Sequence, residues 1–173
     1  QTYGSAGFTK GEGFTRASLG LKNAGRMVFI LPDEGVSPYA LMTSPEEIKQ
    51  TFEGGENFSG EVVWEIPKFS FDSKLTLTNM LKSLGVNAAF TVDADFSGIT
   101  GHMAYITDVR QVTHIAIDED GVEASAFTQI DYSGSARPEG RADMILNRPF
   151  IYAITAQNGT LLFIGVCENP AEI

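Results

Sequence analysis

The side chains that do chemistry are sparse in this sequence. His102 and His114 have no carboxylate or thiol at metal-ligand spacing, and a lone imidazole on a strand is structural more often than catalytic, so no metal site is expected. Asp93-Ala94-Asp95 brings two acids together but lacks the further oxygen ligands of a calcium loop. No Gly-x-Ser-x-Gly context for a serine nucleophile occurs. Gly11-Glu12-Gly13 is only the start of a dinucleotide fingerprint, without the third glycine or a preceding apolar strand. The chain therefore offers no catalytic constellation and implies no cofactor. Cys167, the sole cysteine, excludes an internal disulfide, and its place after Leu161-Leu162-Phe163-Ile164-Gly165-Val166 reads as a buried, inert thiol. Two glycosylation sequons, Asn57-Phe58-Ser59 and Asn158-Gly159-Thr160, are short enough to arise by chance and matter only in a secreted eukaryotic protein.

The unusual stretch runs from Asp118 to Pro149. It leaves a strand, passes through small residues, becomes rich in Gly, Ser and Pro, and re-enters a strand; long excursions of this kind are functional or disordered. Val122, Ala124, Ala126, Thr128 and Ile130 alternate with Glu123, Ser125, Phe127 and Gln129, the period of a half-buried strand, although Val122, Ala126 and Ile130 would also share a helix face. A segment able to be loop or strand is a candidate switch; an ordinary surface connection is the plainer reading.

Composition bounds the rest. A length of 173 residues with 43% hydrophobic and 20% charged content suits one globular domain with a real core. The excess of 22 acidic over 12 basic residues argues against a nucleic-acid or anionic-membrane partner, both of which need a basic patch. No apolar run approaches a membrane span. Gln1-Thr2-Tyr3-Gly4-Ser5 is neither a signal peptide nor a start methionine, so the chain reads as a piece of something longer.

The elements that would hold the stretch are mostly strands. Residues 1–15 read as extended structure that depends on its neighbours. Alternation over Arg16 to Lys22, a turn at Asn23 to Gly25 and the apolar run Met27 to Leu31 predict a hairpin stopped by Pro32. Ser44-Pro45-Glu46-Glu47 predicts a helix start with a capping box, ended by Gly54-Gly55. Val62 to Ile66 and Lys68 to Asp72 read as strand on either side of Pro67, which marks an edge, a bulge or a change of sheet. Leu77, Met80, Leu81 and Leu84 share a helix face closed by Gly85 and are expected to pack into a core. Val109 to Ile117 reads as a strand. Asn158-Gly159 predicts a tight hairpin between Pro149 to Thr155 and Thr160 to Cys167, with both turn residues suited to positive φ; two strands this apolar are expected at the centre of a sheet.

Several segments, in this order, resemble the C-terminal half of the serpins, inhibitors that trap serine proteases. They are Phe29-Ile30-Leu31-Pro32-Asp33-Glu34-Gly35, Ile66-Pro67-Lys68-Phe69 followed by Ala94-Asp95-Phe96-Ser97-Gly98-Ile99, the hinge-like Asp118 to Ala124, and Asn147-Arg148-Pro149-Phe150 with Leu162 to Gly165 and Asn169-Pro170. The resemblance implies an α+β, multi-sheet fold, mostly antiparallel β with two or three short helices. Residues 1–173 would form the C-terminal part of a single serpin domain whose N-terminal half lies outside this chain and would be a partner. It implies no catalytic activity of the chain's own, and an extracellular or cell-envelope location.

The resemblance also assigns roles. A target serine protease would attack an exposed reactive loop and form an acyl-enzyme; the loop's first part would then insert as a strand into the main sheet and distort the protease before the ester hydrolyses. Glu119, Gly121, Val122, Glu123, Ala124, Ser125 and Ala126 match the hinge, with Val122 where Thr or Ser is commoner and Phe127 interrupting the small residues. Spacing from the hinge puts the reactive bond at Ser135-Ala136, suited to an elastase- or subtilisin-like target, while counting back from Asn147 lands near Pro138; Arg141 is a trypsin-like option. If Phe127 prevents insertion, the alternative is a non-inhibitory binding or scaffold protein. Burying Val122 and Ile130 would stabilise by about 1.5–3 kcal/mol each, against about 1–2 kcal/mol per residue for ordering the backbone. The surplus must come from strain in the opening sheet, so this chain alone is not expected to inhibit.

Overall fold

Glycine turns set the order of the main sheet. The computed structural model describes residues 2–21, 25–117 and 140–170. Strand β1 (Thr2–Gly11) turns at Glu12-Gly13, where Gly13 takes φ 80°, into β2 (Phe14–Gly20). Gly11 therefore closes β1 and Gly13 sits at a hairpin tip. β2 pairs with β3 (Arg26–Pro32), and β3 with β8 (Phe150–Thr155), which pairs with β9 (Leu161–Cys167). On the other side of β1 lies β4 (Glu56–Glu65), and beyond it β7 (Arg141–Ile145). The resulting order is β7-β4-β1-β2-β3-β8-β9, antiparallel except for β4 with β7.

Both faces of the middle of this sheet are buried. On one face Phe14, Val28, Ile30, Ile151 and Ala153 pack with Leu41, Phe52 and Val166. Leu41 comes from a 3-10 turn over Pro38–Met42, which the sequence reading did not anticipate, and Phe52 from α1 (Pro45–Glu53). On the opposite face Phe29 meets Trp64 and Phe150 at centroid distances of 5.6 and 6.1 Å, and Phe69 meets Phe150 and Tyr152 at 5.9 and 5.3 Å. Neighbours in a strand point to opposite faces, so the apolar run Met27 to Leu31 serves both layers.

Helix α1 starts as its sequence predicts, with the Ser44 hydroxyl accepting from the Glu47 N–H at 3.1 Å and Pro45 at the first position. Its end is held from a distance. The Arg16 guanidinium on β2 donates to the carbonyls of Thr51 and Gly54, the last of these at 3.1 Å, giving a positive charge to a helix terminus that has no basic residue of its own. Burial lowers the Arg16 guanidinium from its ordinary value.

Residues 70–116 form a separate unit. The chain changes sheet after Pro67, and β5 (Phe69–Thr76) pairs with β6 (Arg110–Ile117) in a two-stranded sheet. Between them α2 (Thr78–Ser83) ends before Gly85, at φ 92°. The Leu/Met stripe on α2 is not core in this chain: Met80 is 53% and Leu84 73% exposed, and no α2 residue is buried. Of the four stripe residues Leu77 and Leu81 are half-covered and Met80 and Leu84 exposed, so the helical spacing marks an apolar face that is only partly covered among the described residues.

The last two strands depart from the sequence expectation in two respects. β8 is an interior, buried strand, but among the described residues β9 is an edge strand, with Leu161, Leu162, Phe163 and Ile164 exposed by 41, 55, 45 and 45%. Their hairpin is closed by Ala156 N–H to Thr160 O at 2.9 Å and Gly159 N–H to Ala156 O at 3.0 Å, with Gly159 at φ 84°. That is a three-residue loop with a glycine bulge and not a two-residue turn, and it accompanies a register shift at Ile154/Thr155. Cys167 is buried as expected, and burial pushes its thiol up from the ordinary value.

Replacing Arg16 with Met keeps the apolar stem and removes the donors to α1. The fold is expected to lose about 1.5–3 kcal/mol, the scale of hydrogen bonds to a charged group, read as a lower urea midpoint at unchanged slope.

Candidate functional site

The stretch singled out by sequence enters and leaves through strand ends. Glu119, Gly121, Val122, Glu123, Ala124, Ser125 and Ala126, with Ser135 and Ala136, lie outside the described residues, so the site is built from what holds residues 118–139 at each end.

The entry is β6. Its two sides differ in exposure: Val112, His114 and Ala116 are exposed, Thr113 and Ile115 are half-covered, and Ile117 at the end is buried. β5 occupies one edge of β6, and among the described residues no strand occupies the other. His114 Nδ1 lies 2.8 Å from Asp72 Oδ1 on β5, an exposed cross-strand pair that spacing along the sequence could not reveal. The start of β6 is tied to α2. Thr78 Oγ1 donates to Asp108 Oδ1 at 2.7 Å and accepts from the Val109 N–H at 2.9 Å, while the Leu77 N–H donates to Val109 O at 2.8 Å. The Thr78 hydroxyl and then the Arg110 guanidinium hold the Asp108 carboxyl below its ordinary range.

The exit is Gly140 and β7. Gly140 O accepts from the Glu61 N–H at 3.1 Å, Arg141 to Ile145 run parallel to Glu61 to Glu65, and the Leu146 N–H closes the far end on Glu65 O at 2.8 Å. Ala142, Met144 and Leu146 are buried and alternate with exposed Arg141 and Asp143. Gly140 sits at φ 128°, where a Cβ would lie 3.2 Å from Phe8 Cζ, and its carbonyl fills the space beside Gly60 where a side chain would be. Two glycines are thus required at one crossing. Arg141 reaches Glu61 at 3.3 Å and Asp143 at 2.9 Å. Further along, Arg148 donates through Nε and Nη2 to Pro32 O at 3.2 and 3.1 Å, fixing the chain as it enters β8.

The other chemistry candidates do not converge. His102 is exposed, Asp95 accepts from the Ser97 N–H at 3.0 Å in a local turn, and no three ligating side chains gather among the described residues. Arg16 and Arg148 act on carbonyls far along the chain, a role that no local pattern in the sequence assigns to them.

The serpin (serine protease inhibitor) family profile matches residues 2–170. This chain belongs to the serpin family. Among curated serpins, Serpin A3-5 of Bos taurus is 35% identical over 84% of this chain and 35% of its own length, and alpha-1-antichymotrypsin of Homo sapiens is 36% identical over the same shares. A solved structure of the thermophilic serpin tengpin in its native state superposes with a TM-score of 0.67 at 28% identity, covering 95% of this chain and 44% of that one. The chain thus spans less than half of the serpins it matches. The fold class expected from the resemblance, mostly antiparallel strands in more than one sheet with few helices, is the one observed.

Two tests follow from the anchors. Gly140→Ala is expected to destabilise by about 1–3 kcal/mol through strain at positive φ and to speed amide exchange at Glu61, whereas Gly20→Ala, at an open position, leaves both unchanged. Asp108 has its folded value below its unfolded one, so its contribution is present above the ordinary carboxylate range and lost as pH falls through the folded value. Asp108→Asn is expected to flatten that acid limb in denaturation measured at stepped pH.

Proposed function

We propose that this chain is the C-terminal portion of a serine protease inhibitor that acts as a suicide substrate, with residues 118–139 as the reactive loop. The observation that carries the reading is the anchoring of that segment: it departs from the buried end of β6 and returns at Gly140 into a paired strand, in a chain that matches the serpin profile almost end to end. In this reading Glu119, Gly121, Val122, Glu123, Ala124, Ser125 and Ala126 form the hinge, and after cleavage the loop's first part adds to a sheet edge such as the one β6 leaves open. No catalytic role for the chain itself is part of this reading.

The reactive bond is assigned to Ser135-Ala136, which favours an elastase- or subtilisin-like protease. Arg141 is disfavoured because it opens β7, with its backbone opposite Glu61 and its guanidinium against Glu61 and Asp143; a protease needs its substrate bond extended and clear of other pairing.

The second partner is the remaining, N-terminal half of the same domain. It is supported by the 35% share of the relatives' length that the chain spans and by four successive apolar residues exposed on β9. Neighbours along a strand face opposite ways, so this edge favours cover on both sides as well as a partner for its ladder. A net charge of −10 gives no support to a nucleic-acid partner. Among the described residues no helix is long and apolar enough to cross a membrane. The proposed location is extracellular or the cell envelope; the named relatives include both a plasma serine protease inhibitor and an intracellular coagulation inhibitor.

The test is to mix the complete protein with elastase-, subtilisin- and trypsin-like proteases. An SDS-resistant adduct is expected with the first two, with a released C-terminal peptide that begins at Ala136. Loop cleavage with no adduct would sink the inhibitor reading, and a peptide beginning at Ala142 would move the bond to Arg141.

A further inference from the structure

The hairpin between β8 and β9 carries the chain's one asparagine followed by glycine, Asn158-Gly159. We propose that Asn158 is a site of spontaneous deamidation, converting to aspartate and isoaspartate through a cyclic imide formed with the Gly159 nitrogen. Residues 157–160 are exposed, and a Cβ built on Gly159 would meet nothing within 4 Å, so neither a side chain nor a neighbour shields the reacting peptide. The Thr160 N–H donates to Asn158 Oδ1 at 3.1 Å. This bond folds the side-chain amide back along its own backbone. It also places a donor on the oxygen that becomes negative when Cγ is attacked.

The steps balance without an oxidant or reductant. Hydroxide takes the Gly159 N–H proton, the nitrogen bonds to Asn158 Cγ, the Cγ–Nδ2 bond breaks, and Nδ2 leaves as ammonia with a proton from water. Water then opens the ring at either carbonyl, giving aspartate or isoaspartate. The Gly159 N–H first has to release Ala156 O, to which it is bonded at 3.0 Å, and a turn at the end of a hairpin opens locally at low free energy. The other asparagines lack this combination. Asn57 lies within β4, accepts from Thr9 Oγ1 at 2.7 Å and precedes Phe58, while Asn79 and Asn87 precede Met80 and Ala88. The isoaspartate product lengthens the main chain between Ala156 and Thr160, whose mutual bond sets the start of β9.

The test is incubation of the complete, folded protein at neutral and mildly alkaline pH, followed by peptide mass measurement and isoaspartyl methyltransferase labelling. The Asn158 peptide is expected to convert about tenfold faster than those carrying Asn57, Asn79 or Asn87, at a rate that rises with hydroxide concentration, and Asn158→Gln is expected to abolish the label there. Conversion of Asn158 no faster than those three, or a label that persists at this turn in Asn158→Gln, overturns the proposal.

Discussion

Phe150 and Ile151 are adjacent in β8 and both fully buried, so one strand requires cover on opposite faces of the sheet at once. The rest of the main unit can be read as the answer to that requirement. On the Ile151 face the cover is α1 with the 3-10 turn before it, and α1 is fixed at its far end by Arg16 reaching across from β2. On the Phe150 face the cover is an aromatic layer drawn from β3, β4 and β5, with Phe29, Trp64 and Phe69 within ring-contact distance of one another or of Phe150. Tyr152 extends that layer over Gly165 of β9, where the ring occupies the space of any larger side chain. The Arg148 clamp on Pro32 O positions β8 against β3 before the apolar pairing begins.

The same requirement is unmet one strand further out. β9 repeats the apolar composition of β8 but has neither layer over Leu161 to Ile164 and no neighbour on its outer edge among the described residues. An apolar edge of this kind is a site for strand addition or association, and in a chain that spans 35% of the length of a curated relative the proposed cover is the rest of the domain. The exposed Met80 and Leu84 of the other unit fit the same account. The proposed function follows the same division: the described residues hold the two ends of residues 118–139, while the proposed insertion would need more sheet than two strands supply, since isolated two-stranded sheets are marginal in water.

Where a single residue determines the backbone, sequence and structure agree. Ser44-Pro45 starts a helix, Gly54 ends it, and Pro67, which marks an edge, a bulge or a change of sheet, lies at a change of sheet. Agreement ends where periodicity has to name a partner. The stripe of Leu77, Met80, Leu81 and Leu84 and the run Leu161 to Ile164 both signal apolar faces, and nothing in the pattern says whether the cover lies in this chain. The roles of Arg16, Arg148 and the Gly60 and Gly140 pair depend on groups far along the chain, beyond any local pattern. Asn158-Gly159 marks the turn but not its closure, because a three-residue loop with a bulge and a two-residue turn share the same Asn-Gly signal.

The central claim is that β9 presents an unfinished edge, completed only when the remainder of the serpin domain is present. Amide hydrogen exchange across Leu161 to Cys167, compared between this chain alone and the complete protein, tests it directly. The account predicts that the outward-facing amides of β9 exchange rapidly in the chain alone and are protected in the complete protein, while those of β8 are protected in both. Equal exchange of the β9 amides in the two samples would contradict it.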